Sequence, residues 1–202
     1  KPGYPEVLAI THDRDSKGRE NVWHSDVTWR LCPSLGSVLR ALEVPEVGGD
    51  TLFSDMYAAY EGLSDEVKER IDGAVAIHDF AHFRKMMRNR GMSEAEIEEM
   101  NRKYPMAEHP VVRTHPETGR KALYVNPAFT EKFVGMTKRE SRPLLNFLFE
   151  HCTQEPYTCR FRWTKNAIAF WDNRAAQHFA LNDYHGHRRH MERVTVNGDR
   201  PF

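Results

Sequence analysis

Apolar residues fall at alternate positions in several short stretches of this chain, and at helical spacing in a few others gathered near its middle. YTCRFRW sets Cys159, Phe161 and Trp163 against Arg160 and Arg162, the alternation of a half-buried strand. AIAFW (Ala167 to Trp171) and GSVLRALEV (Gly36 to Val44) predict buried strands, and Val7 to Thr11, KALYVN and HRRHMERVTV predict further ones. SDMYAAYEGLS and SDEVKERIDG predict short helices, the second capped by Ser64 and stopped near Gly73. SEAEIEEMNRKYP carries a capping box, Ser93 with Glu96, and VGMTKRESRPLLNFLFEHC offers another, Thr137 with Glu140. Pro143 fits poorly inside that last helix, so a later start with Ser141 as cap competes. HDFAHFRKMMRNRG resolves only into loop and helix fragments. Many short strands around a helical middle predict a mainly β fold with helical insertions, an antiparallel double sheet. With no repeat, low-complexity tract or long linker, residues 1–202 are expected to form a single domain.

One stretch breaks the pattern. In ENVWHSDVTW, β-forming Val22, Trp23, Val27, Thr28 and Trp29 predict a strand, yet His24, Ser25 and Asp26 interrupt it. Residues i and i+2 of a strand share a face about 6.6 Å apart, so His24 and Asp26 are placed to converge on one metal ion. The letters alone are weak. With 11 His and 11 Asp in 202 residues, His-x-Asp arises by chance roughly 0.6 times, so a surface pair competes with a metal site. Facial coordination needs a third ligand and leaves positions open for small molecules. His178, just past the strand ending at Trp171, is the candidate. His12, His78, His82, His109, His115 and His151 lie in polar or helical surroundings and read as surface or hydrogen-bonding residues. His185, His187 and His190 read as a solvated turn rather than a second metal site.

Charge and cysteine content narrow the class. Lys plus Arg equals Asp plus Glu at 29 each, and no basic block or acidic tail points to nucleic acid. No apolar run approaches the length needed to cross a bilayer, and no secretory core precedes a cleavage site. Cys32, Cys152 and Cys159 make an odd set without a CxxC pair, expected as reduced thiols in a cytoplasmic protein. The chain opens on Lys1 and enters a strand-like run almost at once, so an N-terminal portion of the natural protein is expected to be absent. In RRHMERV, Arg189, Met191 and Arg193 share one strand face. Either that face is solvated, or two inward guanidiniums each meet an anion. Thr51 follows two glycines in GGDT, a common loop in isolation.

Taken together, WHSDVTW, GGDTLFSDMYAAYEGLS, HPVVRTHPETGRKALYVNPAFT and WDNRAAQHFALNDYHGHRRHMERVTVNGDRPF resemble the Fe(II)- and 2-oxoglutarate-dependent dioxygenases of the taurine dioxygenase group, which also holds phenoxyacetate and alkyl-sulfate oxygenases. The stretches follow family order from residue 23 onward. The resemblance implies a double-stranded β-helix, a cupin-like jelly roll. It implies iron ligands at His24, Asp26 and His178, and 2-oxoglutarate contacts at Thr51 and Arg189. Arg193 matches the arginine for the substrate's anionic group, and Val27 and Phe129 match pocket-lining residues. Asp26 also separates the chain from related halogenases, which lack that carboxylate. The implied reaction uses dioxygen to convert 2-oxoglutarate to succinate and carbon dioxide while hydroxylating a C–H bond. The expected substrate is a small organic anion, with taurine or another sulfonate ahead of an alkyl sulfate, aryloxyalkanoate or other carboxylate, and the expected role lies in sulfur metabolism. A non-catalytic metal-binding jelly roll is the contrasting reading, though a mere binder has no need of Arg189 and Thr51 together. The family's taurine enzymes carry asparagine four residues before the first iron histidine. Here that position is Glu20, with Asn21 one along as the candidate substrate contact. A homo-oligomer, dimer or tetramer, is expected.

Overall fold

The computed structural model of the chain describes Lys1, residues 3–15 and residues 21–202. In chain order the elements are β1 (Leu8–His12), β2 (Ser34–Glu43), β3 (Thr51–Asp55), α1 (Met56–Glu61), α2 (Asp65–Ile71), β4 (Val75–His78), α3 (Ala81–Asn89), α4 (Glu94–Lys103), β5 (Ala107–Pro110), β6 (Val112–Thr114), β7 (Lys121–Leu123), β8 (Thr130–Phe133), α5 (Lys138–Cys152), β9 (Thr158–Phe161), β10 (Ile168–Asp172), β11 (Ala176–Ala180) and β12 (Arg189–Asn197). Two antiparallel sheets, β1-β12-β2-β10 and β11-β3-β9, form the frame. From β9 onward successive strands alternate between them, the winding of a double-stranded β-helix. Leu39, Ala41, Trp171 and Met191 of the first sheet and Phe53 and Phe161 of the second share one core.

Everything between β3 and β9 is insertion. It holds the five helices, the sheet β5-β4-β8 and the hairpin β6-β7, packed around Met56, Ala59, Ile71, Val111, Leu145 and Leu148. Ser93 and Glu96 form the capping box of α4, and Thr137 and Glu140 that of α5. The later start for α5 is not adopted. Ser141 lies inside the helix, donating to the Thr137 carbonyl and accepting from the Phe133 amide. Pro143 is tolerated because the carbonyl it leaves unbonded belongs to exposed Arg139.

Three other expectations change. Residues 21–29 do not form a strand: only His24 makes a bridge, and a turn begins at Asp26; Glu20, which opens the stretch, lies outside the described residues. AIAFW is buried on one face only, with Ile168 and Phe170 59% and 63% exposed. The KALYVN strand stops at Leu123, although Tyr124 and Val125 stay buried beyond it. In HDFAHFRKMMRNRG, His78 ends β4, a short loop follows, and α3 occupies Ala81–Asn89 with no side-chain cap at its start.

Candidate functional site

His24 and His178 are joined by their backbones. Each donates its amide to the other's carbonyl, at 3.0 and 2.8 Å, making an isolated antiparallel bridge between the loop and β11. The imidazoles lie with centroids 4.2 Å apart. His24 Nδ1 sits 2.9 Å from the Val22 carbonyl oxygen. A carbonyl can only accept, so Nδ1 carries a hydrogen, and in the neutral ring the lone pair is then at Nε2.

Asp26 is placed by its backbone. Its amide donates to Asn173 Oδ1 (2.6 Å), and Asn173 Nδ2 donates to the Asp26 carbonyl (2.9 Å) and to that of Ser34 (3.0 Å). The chain then turns through Val27 at φ 51°, rare for a β-branched residue. The Thr28 hydroxyl is held by Asn126 Nδ2 and lies within bonding distance of His78 Nδ1, both at 3.0 Å. A bridge and a turn, rather than strand periodicity, bring the two side chains together.

Asp26 Oδ1 lies 3.7 Å from His24 Nε2 and 4.0 Å from His178 Nε2. One ligating atom from each of the three residues lies within 4.8 Å of the others, and among the described residues no other group of His, Cys, Asp and Glu does this. The turn histidines His185, His187 and His190 therefore form no second cluster. Burial pushes Asp26 up, but the imidazoles of His178 and His24 and the guanidinium of Arg193 outweigh it and hold the carboxyl well below its usual range. Burial, reinforced by His24, pushes His178 down to about 3 against the pull of Asp26, so it is a neutral donor at neutral pH. Two lone-pair imidazoles and a carboxylate pointing at one space fit a divalent transition metal on one face, leaving its other positions open. The His178 Nδ1 has no hydrogen-bond partner among the described residues, so nothing there competes for the ring's orientation.

A cavity of about 470 Å³ is lined by His24, Asp26 and His178. Thr51, Arg189, Arg193, Val27 and Phe129 all line it. Arg189 is buried on β12, its guanidinium 5.9 Å from the Trp163 ring and 5.8 Å from that of Tyr184. Trp163 Nε1 donates to Thr51 Oγ1 at 3.0 Å. Glycine suits position 49, whose φ of 72° strains any other residue and where a Cβ would crowd Tyr184 at 3.1 Å and Arg189 Cδ at 3.2 Å. Arg193 Nη1 lies 3.3 Å from Asp26 Oδ1, so the inward reading of the arginine face holds, with Asp26 as its partner. Asn21 does not line the cavity. It is exposed, and its Oδ1 accepts from the backbone of Asn182, which does line it. Glu20 lies outside the described residues.

The sequence reading missed several contributors. Asn173 follows a buried strand and looks like a turn residue, and Ser37, which donates to Asp26 Oδ2 at 3.0 Å, looks like strand filler. His12 lines the cavity, its Nδ1 2.8 Å from the Tyr184 hydroxyl. Trp29, Phe80 and Phe83 form an aromatic wall, with 4.3 and 4.4 Å between successive centroids. His78, His109, His115 and His151 are buried and hydrogen-bonded rather than on the surface.

Residues 1–195 match the family described as taurine catabolism dioxygenase TauD, TfdA family. The chain belongs to that family. It is 35% identical to an alpha-ketoglutarate-dependent sulfate ester dioxygenase of Pseudomonas putida, over 91% of this chain and 62% of the relative. A crystal structure of a taurine dioxygenase from Burkholderia xenovorans superposes with a TM-score of 0.80 at 38% identity, covering 98% of this chain and 64% of that one. The structure of AAD-2 in complex with Mn(II) and N-oxalylglycine superposes at 0.83 and 30% identity, covering 96% of this chain and 75% of that one. The chain spans about half the length of several curated relatives that it matches, and three fifths of others. Among the described residues, no helix is long and apolar enough to cross a membrane.

Proposed function

We propose that the protein is an Fe(II)- and 2-oxoglutarate-dependent dioxygenase that hydroxylates a small organic sulfonate or sulfate ester. The reading is carried by one observation: the cluster of His24, Asp26 and His178 opens onto the same cavity as Arg189 and Thr51. A metal store has no use for a buried guanidinium and hydroxyl beside its ligands. The family membership and the Mn(II) and N-oxalylglycine in the AAD-2 structure support the same pairing. Ferrous iron with 2-oxoglutarate and dioxygen supplies oxidative decarboxylation to succinate and carbon dioxide, coupled to C–H hydroxylation.

The chain's own residues then divide the work. His24 Nε2, His178 Nε2 and an Asp26 oxygen hold the metal. Arg189 and Thr51 fix the distal carboxylate of 2-oxoglutarate, with Tyr184, Trp163 and Gly49 packing that guanidinium. Arg193 takes the sulfonate or sulfate, and Val27 and Phe129 press the substrate's carbon chain toward the metal face. Carbon hydroxylated beside a sulfonate or a sulfate-ester oxygen releases sulfite or sulfate as the product collapses to an aldehyde. A guanidinium also accepts a carboxylate, so aryloxyalkanoates are the second reading. The three cysteines are free, which suits a reducing compartment, and we place the protein in the cytoplasm.

The test is to supply iron, 2-oxoglutarate and a panel of sulfonates, sulfate esters and aryloxyalkanoates. Succinate formation accelerated by the sulfur anions, with sulfite or sulfate released, supports the assignment. A panel that never raises succinate above the substrate-free rate ends it. In parallel, His178→Ala is expected to weaken metal binding at least tenfold by calorimetry and to abolish turnover; unchanged affinity removes His178 from the site.

A further inference from the structure

The loop that carries His24 and Asp26 takes its place from one short segment, residues 173–178. Asn173 ties both backbone groups of Asp26, the Ser25 hydroxyl donates to the Ala176 carbonyl at 2.8 Å, and His24 is bridged to His178. We propose that Asp172 and Arg174, neither of which lines the cavity, are positioning residues for the metal centre: they lock the turn from which Asn173 holds Asp26. This rests on the metal-site reading above.

The lock is a fork closed on a carboxylate. Arg174 Nε lies 2.9 Å from Asp172 Oδ1 and Nη2 lies 2.7 Å from Oδ2, while the Arg174 amide donates to Oδ1 at 2.9 Å. The turn between β6 and β7 completes it. Arg174 Nη1 donates to Glu117 Oε1 at 2.8 Å, and His115 Nε2 lies 3.0 Å from Asp172 Oδ2. His115 Nδ1 accepts from the amides of Glu117 and Thr118, at 3.3 and 3.2 Å, so the ring hydrogen is at Nε2 and is donated to Asp172. Burial pushes Asp172 up, but Arg174 and His115 outweigh it and hold the carboxyl below its usual range.

Buried charge is by itself weak evidence for stability, because packed apolar side chains would join β10 to β11 as well. A fork differs in fixing direction. Residues 172 and 174 are both bound to the 115–117 turn, and Asn173 between them meets Asp26, Ser34 and Leu35 instead. With the fork open the turn is free to rotate, and the Asn173 amide no longer presents its oxygen and its nitrogen together to the Asp26 backbone. The molecule also supplies a matched comparison. Arg113 grips Asp199 at 2.9 and 3.0 Å, and the Asp199 side chain is 39% exposed against 38% for Asp172.

Mn(II) is titrated calorimetrically into the metal-free protein, with urea unfolding followed in parallel. Asp172→Asn removes a negative charge and Arg174→Gln a positive one, so through-space attraction alone predicts opposite effects on a bound cation. A lost anchor weakens both. Each variant is expected to bind Mn(II) at least about tenfold more weakly. Asp199→Asn is expected to lower stability to urea yet leave Mn(II) affinity within about twofold. Wild-type or tighter affinity in Asp172→Asn or Arg174→Gln overturns the proposal, and so does an equal loss in Asp199→Asn. Should Arg174→Gln fail to fold, Arg174→Lys keeps the charge without the fork; it is expected to weaken Mn(II) several-fold, and wild-type affinity there is equally fatal. If the wild-type protein itself binds no Mn(II), the metal-site reading falls as well.

Discussion

Arg189 and Arg193 sit one helical-looking interval apart in sequence yet on one strand face, and each guanidinium has a different neighbourhood. Arg189 lies near the rings of Trp163 and Tyr184 and beside Gly49, whereas Arg193 reaches the Asp26 carboxylate. On the proposed assignment, removing Arg189 strips a buried cation from the 2-oxo acid's distal end. Arg189→Ala is expected to raise the 2-oxoglutarate concentration for half-maximal rate on the order of a hundredfold, and the substrate concentration by far less. An equal effect on both would mean the two arginines exchange roles. Val27 carries a second residue-scale consequence. A valine at φ 51° is strained, and glycine there relieves that strain. Val27→Gly is therefore expected to cost at least about 1 kcal/mol less in urea unfolding than Val38→Gly, a half-buried valine within β2. Equal costs would show that the turn holds no strain.

At the scale of elements, the site hangs on the link between β10 and β11. Asn173 in that link ties Asp26 by both its backbone groups and reaches Ser34 at the start of β2. Asn173→Ala leaves three buried backbone groups without this partner. It is expected to lower stability by about 2–3 kcal/mol and to weaken Mn(II) binding at least about tenfold, because the carboxylate's anchor is lost. Unchanged metal affinity in a destabilised variant would confine Asn173 to the fold. Elements with strong local signals were legible beforehand. The capping boxes of α4 and α5 and the strands β1, β2, β9 and β12 lie close to where their patterns place them. The stretch around His24 was misread because its β-forming residues favour extension, while its partners, His178, Asn173 and His78, are distant in sequence and impose a bridge and a turn. α3 was hard to bound for a different reason: Phe83, Met86 and Met87 repeat at helical spacing, but no side chain caps the start of the helix, so nothing local marks where it begins.

Across the whole molecule, buried histidines couple the fold to pH. Burial pushes His78 well below its ordinary value, with His109 beside it adding to the shift, and burial also lowers His109 and takes His178 down to about 3. The unfolded chain protonates these imidazoles as pH falls through about 6.5, while the folded chain resists to lower pH, most of all at His78 and His178. Stability is therefore full above that pH and is lost progressively below it. Asp26, held below its usual range, adds to the loss only under about pH 4. Metal-free protein at pH 5.5 is expected to be less stable to urea than at pH 7.5 by about 1 kcal/mol for each of His78 and His178. A flat profile would show that these rings protonate without unfolding the chain.

The sequence by itself determined the periodicities, the caps, and the residue types able to hold a metal and two anions, because those are properties of neighbours along the chain. Together with the family resemblance, it named His24, Asp26, His178, Thr51 and Arg189 before any coordinates. Which side chains share a space was decided only by the tertiary structure. The alternation of strands between two sheets sets β11 against the loop at His24 and stands Arg193 over Asp26. The same winding left Asn21 outside and brought in Asn173, Trp163 and Tyr184, whose local patterns look like ordinary turn and strand. Convergence depends on contacts between distant segments, and no local pattern encodes those.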